Sequence, residues 1–140
     1  MTTREDHIRS YFEACTSGSG EAVAEHFTEN AVIYDTNHSP VTTATSIGTF
    51  LNQIRAKWTG ARWIVERVVE SGDSAAIEWT MEGEHLGKHF SVRGSEHYSF
   101  RENLIDEIRQ YWIFDPENPG SGLIDYPYDQ PNRIGSHDRQ

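Results

Sequence analysis

Cysteine is almost missing from this chain: Cys15 is the only one among 140 residues. An intrachain disulfide is therefore excluded, and a reducing cytoplasm is the expected compartment. Long apolar runs are missing too. No stretch approaches the ~20 residues of a transmembrane helix, and the opening "MTTREDHIRSYF" has no hydrophobic region of the kind a secretory signal needs. A soluble protein without a membrane partner is expected. Basic residues are few, with 12 Lys and Arg against 22 Asp and Glu and a net charge of −10 at pH 7. No basic stripe is present, which argues against a nucleic-acid surface. The two "GSG" stretches, 18–20 and 120–122, lack the strand-and-helix setting of a phosphate loop. No serine has a nucleophile-elbow setting either.

Aromatic residues are plentiful: Trp 4, Tyr 6, Phe 6. The length suits one domain with a substantial core. Thr2 and Thr3 stand three residues before Glu5 and Asp6, a capping-box-like helix start. Ile8, Tyr11, Phe12 and Cys15 then recur with helical spacing, and "TSGSG" ends that helix. A short helix over roughly 20–28 and a short strand "NAVIYD", 30–35, follow. "TNHSPVTTAT" reads as a loop. A third helix, capped by Thr45 or Ser46, carries Ile47, Phe50, Leu51, Ile54 and Trp58, and Gly60 stops it.

Beyond Gly60 the hydrophobic period changes from helical to two. Strands over 62–71, 74–84, 89–101 and 104–114, joined by short turns, predict an antiparallel meander. The domain is expected to span 1–114, with 115–140 an irregular Pro-, Gly- and Asp-rich tail whose Leu123, Ile124, Tyr126 and Tyr128 could anchor its middle. The order is α-α-β-α-β-β-β-β, an α+β domain. Three helices packed on a strongly curved antiparallel sheet, a cone-shaped α+β barrel, would enclose an apolar cavity, the default ligand site.

In the third strand of the meander, Phe90, Val92, Gly94, Glu96, Tyr98 and Phe100 share the apolar face, so a carboxylate is set into a core-facing row. Burial should raise its pKa and keep it protonated. A neutral carboxylic acid there can donate to a substrate carbonyl. Two structural readings stand beside this one. Glu96 could pair with an inward arginine, with Arg67 the candidate if it shares a face with Trp63, Val65 and Val69. A bulge at Gly94 could instead turn it outward. Asp35 closes its strand at the expected cavity mouth, placed for proton transfer or for an Asx turn. His38, three residues on, is a second acid–base candidate or a solvated loop histidine. Tyr11 lies on the apolar stripe of the first helix. Trp63, Trp79, Tyr98, Phe100 and Trp112 are the inward aromatics expected to line the cavity. His85, His89 and His97 lack the geometry and fourth ligand of a zinc site, so no metal is expected.

The segments "HFTENAVIYD", "IGTFLNQIRAKW" and "EHYSFRENLIDEIRQYWIFD", within about residues 4–114, resemble the nuclear transport factor 2-like superfamily. That superfamily contains ketosteroid isomerase, scytalone dehydratase, limonene epoxide hydrolase and the SnoaL-like polyketide cyclases, together with non-catalytic members. The resemblance to ketosteroid isomerase implies Tyr11 and Glu96 as oxyanion donors and Asp35 as general base. Ketosteroid isomerase itself holds a carboxylic acid neutral in an apolar site, so that it can donate a hydrogen bond. Glu stands here where that family has Asp, and Thr36 where it has proline. Gln110 replaces the last-strand aspartate of limonene epoxide hydrolase, and the inward histidines of scytalone dehydratase are not matched. The resemblance implies a cofactor-independent isomerase, cyclase or dehydratase acting on a small hydrophobic carbonyl compound, in a homodimer. The alternative is a non-catalytic ligand-binding or assembly domain of the same fold.

Overall fold

The structure, a computed structural model, describes residues 3–115, 117 and 122–130. Thr2 and the remainder of the 115–140 tail lie outside the described residues. Helix α1 spans Arg4–Ser17. Thr3 is its N-cap: its Oγ1 accepts from the Asp6 N–H, and the Asp6 side chain accepts from the Thr3 N–H. This reciprocal box satisfies two donors that the first helical turn leaves open. Helix α2 covers only Gly20–Ala24. The chain then enters strand β1, Phe27–Asp35, three residues earlier than its periodicity suggests. Strand β2, Val41–Thr42, pairs with β1 inside the segment expected to be loop. Helix α3, Ala44–Ala56, starts from a Thr43 cap, ahead of the expected Thr45 or Ser46.

The remaining strands follow closely: β3 Thr59–Ser71, β4 Ser74–His85, β5 Lys88–Arg101 and β6 Leu104–Ile113. Their ladders are antiparallel, as a meander of short turns dictates. The sheet order is β2-β1-β6-β5-β4-β3, and β1 lies parallel to β6. The sheet is therefore mixed, where alternation in the last four strands alone predicts an antiparallel one. It is curved and does not close. Burial of Ile8, Ile47, Tyr98, Ile105 and Ile108 marks the core between the helices and the concave face. Helix α1 lies against β3, and α2 against α3. Gly48 of α3 sits so close to the Gly20 carbonyl that a Cβ there would collide with backbone.

One irregularity redirects the face of β3. Val65 pairs with Trp79 and Arg67 with Glu78, which leaves Glu66 as an extra residue. A bulge of one residue inverts the in–out alternation beyond it. Trp63 and Val65 keep the inner face, while Val68 pairs with the buried Ile77, and Arg67 and Val69 turn outward and are exposed. The expectation that Arg67 faces inward is thereby overturned. The β4–β5 ladder, in contrast, runs without a shift through Gly94, so no bulge turns Glu96 outward.

Candidate active site

Strand register sets the site. Asp35 on β1 pairs with Gln110 on β6, and Gln110 pairs with Glu96 on β5. Paired residues project to the same side of a sheet, so these three side chains form one row on the concave face. The next inner row holds Trp112, Gly94 and Trp79, in pairing order. Above the rows, α1 supplies Tyr11 and Cys15, and α3 supplies Leu51 and Ile54. Together they bound a cavity of about 120 Å³, which Glu96, Gln110, Trp63, Trp79 and Trp112 also line.

Glu96 is 3% exposed. It has no cationic partner among the described residues. Its one side-chain hydrogen bond comes from the Tyr98 hydroxyl, which donates to Oε1 across the short distance between alternate residues of a strand. Burial drives its pKa up to about 8, against the opposing pull of the Tyr98 hydroxyl; the Asp35 charge adds a smaller upward push. At neutral pH its carboxyl therefore holds its proton. Tyr11 is equally buried, its ring edge-on to Phe12 and Phe27. Burial, and then the nearby Cys15 and Glu96, push its hydroxyl well above the usual phenol range. The Cys15 thiol is pushed up by burial and stays neutral. The cavity thus presents neutral donors toward its interior: a carboxylic acid and a phenol.

Asp35 has a side chain with no solvent exposure. Its Oδ2 accepts from Gln110 Nε2 at 2.5 Å and from Trp112 Nε1 at 2.8 Å, and His38 Nε2 lies 3.3 Å away. Its Oδ1 accepts the Asn37 N–H at 2.7 Å, the Asx turn that residue type favours. The two carboxyl oxygens have lone pairs enough for the three N–H donors, Gln110, Trp112 and Asn37. Asp35 itself is not a wall of the cavity: Gln110 and Trp112, which do line it, stand between. His38 does not line the cavity either: its ring is 4.7 Å from that of Phe50 and its Nδ1 2.9 Å from the Ser39 carbonyl.

The five inward aromatics separate into three groups. Trp63, Trp79 and Trp112 line the cavity. Tyr98 is fully buried beside it and serves Glu96. Phe100 does not reach the cavity. It lies further along β5, its ring 5.7 Å from His7 and under the Arg4 guanidinium at 4.5 Å, so its expected place in the lining is corrected. The Trp79 Nε1 is buried and has no hydrogen-bond partner among the described residues. Gln110, which sits between the two carboxyl groups in the row and donates to Asp35, stands out in the sequence only as a departure from the epoxide hydrolase pattern. The parity Ile108, Gln110, Trp112 carries the signal that it faces inward. No group of three or more His, Cys, Asp or Glu among the described residues is arranged to hold a metal ion. No helix among them is long and apolar enough to cross a membrane.

Comparison with known proteins adds to this geometry. Residues 8–108 match the SnoaL-like domain family. No match is found among curated proteins. A protein of Catenulispora acidiphila DSM 44928 with a ketosteroid isomerase-like fold, solved in complex with trimethylamine, superposes with a TM-score of 0.72 at 16% identity, over 85% of this chain and 91% of its own. A putative SnoaL-like polyketide cyclase from Jannaschia sp. CCS1 gives a TM-score of 0.68 at 14% identity, over 77% of this chain and 83% of its own. SalBIII, an epoxide hydrolase/cyclase-like enzyme of pyran ring formation in salinomycin, gives 0.69 at 18% identity, over 79% and 91%. Identities this low speak for the fold alone. Since the family match runs from the first helix to the last strand and the cone-like architecture agrees with it, the chain belongs to the SnoaL-like domain family of the nuclear transport factor 2-like superfamily.

Proposed function

We propose that this protein is an acid–base enzyme that acts, without a cofactor, on a small apolar carbonyl compound. The observation that carries the reading is Glu96: a protonated carboxyl group on the wall of an apolar cavity, one row position from Gln110 and two from the buried Asp35. Two strand spacings put the Asp35 and Glu96 backbones about 9–10 Å apart. The Asp35 carboxyl lies behind Gln110 and Trp112, so a ligand held at Glu96 reaches it only when those two side chains move aside. The cavity of about 120 Å³ is smaller than the ~150 Å³ that accommodates a benzene ring, so it suits a short-chain ligand.

In this reading the substrate carbonyl oxygen accepts hydrogen bonds from Glu96 and Tyr11. Asp35 removes a proton from the adjacent carbon once the Gln110 amide and the Trp112 indole yield Oδ2. The C–H electron pair moves into a C–C double bond, and the carbonyl pair moves onto oxygen as an enolate. The two donors stabilise that charge in a site of low dielectric. Return of that proton from Asp35 to another carbon of a dienolate gives isomerisation, attack of the enolate carbon on a second carbonyl with the proton passed to the new alkoxide gives cyclisation, and expulsion of a β-hydroxyl that takes the proton and leaves as water gives dehydration. Two of the structural relatives are described as cyclase-type proteins, which supports this range. A second reading has one observation in its favour. Every donor around Asp35 is already engaged with it, as suits a domain that binds such a ligand and does not turn it over.

The experiment is α-proton exchange of acetone and butan-2-one in D2O, followed by proton NMR. Catalysed exchange is expected, falling by about 10²-fold or more in Asp35→Asn and in Glu96→Ala. Binding of the ketones without exchange above the buffer rate would leave only the second reading.

A further inference from the structure

The sheet has a second concavity, on its convex side. Beyond β6 the described part of the tail returns across the outer face, and between the two lies a groove of about 320 Å³. Its sheet wall includes Tyr111 and Ile113, 55% and 56% exposed, and its tail wall includes Leu123, Tyr126 and Tyr128. The tail wall is built, not merely draped. The Arg93 guanidinium stacks on the Tyr128 ring at 3.7 Å, and the Tyr128 hydroxyl accepts the Leu123 N–H at 2.8 Å. Gly122, at φ 147°, lies so close to Arg93 Cδ and the Tyr128 hydroxyl that no Cβ would fit. The groove falls within the ~300–1,000 Å³ typical of small-molecule sites, and the inner cavity falls below it.

Its electrostatics select among occupants. Arg93 is engaged: Nη1 donates to Thr80 Oγ1 at 2.9 Å, Thr80 in turn donates to Glu66 at 2.8 Å, and Tyr128 covers the guanidinium plane. Glu66 and Glu78 both line the groove, on a chain of net charge −10. The Arg93 Nε is buried with no hydrogen-bond partner among the described residues, but the Tyr128 ring covers the guanidinium, so an anion in the groove would meet two carboxylates and reach the cation only past that ring. A neutral aromatic ring finds aromatic and aliphatic walls, and a hydroxyl or N–H on it finds acceptors in Glu78 and Ser95.

We propose that the groove between the outer sheet face and residues 122–130 is a second ligand site, for a flat, neutral aromatic molecule bearing a hydroxyl or N–H donor. It is separate from the inner cavity but shares Trp79 and Trp112 with it as a common wall. Its occupancy does not depend on the catalytic reading.

The test uses the full chain, with 2-naphthol as the neutral probe and 2-naphthoate as its anionic counterpart, at pH 7. Amide NMR spectra should show 2-naphthol shifting Ser95, Tyr111, Ile113 and Tyr128. Affinity should fall about tenfold or more in Ile113→Asp and in Tyr128→Ala. It should be unchanged in Leu51→Trp, which fills the inner cavity. The anionic probe should bind about tenfold more weakly than 2-naphthol. Loss of binding in Leu51→Trp, or full retention in both outer variants, would place the ligand in the inner cavity and overturn the proposal. So would an absence of binding at millimolar probe. Sedimentation equilibrium covers the remaining occupant: a dimer that Ile113→Asp dissociates and that excludes 2-naphthol would assign the groove to a second copy of the chain instead.

Discussion

Glu96 holds a proton at neutral pH because nothing around it compensates a buried charge except one tyrosine hydroxyl and the cavity's own donors. That has a thermodynamic consequence of definite sign. The unfolded chain titrates this carboxyl near 4.5 and the folded chain near 8, so between those values the native state binds the extra proton. Stability therefore falls as pH rises through that window, by up to about 1.4 kcal/mol per pH unit from this group, and levels off above it. Glu96→Gln keeps the size and a donor but cannot ionise. Urea unfolding between pH 5.5 and 8 should show the wild type losing stability relative to Glu96→Gln, with the gap widening toward pH 8. Parallel curves would mean that Glu96 is ionised in the native state, and the neutral donor would be lost with it. The inward placement of Glu96 is legible from alternation alone, because a period of two assigns faces without knowledge of the fold. The coordination of Asp35 is not. Its partners Gln110 and Trp112 lie 75 and 77 residues away, and only the β1–β6 register brings them to it.

At the scale of elements, the helices and the four long strands can be read from periodicity, capping and turn residues, because these are local devices. The parallel β1–β6 ladder escapes such a reading, since neither strand encodes which neighbour it will have. The bulge at Glu66 escapes because Glu fits an exposed strand position as well as a bulge, and with it goes the orientation of Arg67 and Val69. Parity misplaces Phe100 for a related reason: it gives the face but not the distance along the strand at which the cavity ends. Gly94 is the opposite case, a residue whose meaning appears only in the packed sheet. Its φ is not in the left-handed region, so conformational freedom does not explain it. Space does. A Cβ at 94 would lie 2.7 Å from Trp79 Cζ2, 2.7 Å from the Tyr111 carbonyl oxygen and 2.8 Å from Trp112 Cβ. The carbonyl belongs to the neighbouring strand and cannot rotate away. Gly94→Ala should therefore destabilise the protein by about 1–3 kcal/mol through overpacking, despite the better strand propensity of alanine. Chemical denaturation measures this, and near-UV circular dichroism should report displaced indoles. A neutral or stabilising outcome would show that the two tryptophans have room to move apart.

For the molecule as a whole, the governing quantity is an excess of ten negative charges. A folded chain of this length has a radius near 18 Å. On a sphere of that size, the charge stores about 7 kcal/mol of self-repulsion at 10 mM salt and about half that at 150 mM. The unfolded chain also repels itself, over a larger volume, so about 1–2 kcal/mol of the difference should appear as added stability. Salt also weakens ion pairs, and the described ones oppose the trend. Most of them are solvent-accessible, such as Arg9–Glu5 and Arg62–Glu82, and pairs of that kind contribute about 0–1 kcal/mol before any screening. The global term should win. Raising sodium chloride from 10 to 150 mM at pH 7 should lift the thermal midpoint by about 3–6 °C, with the larger part of the rise below 100 mM, where the screening length changes fastest. A midpoint that falls with salt would mean that local pairs outweigh net charge in holding the cone together.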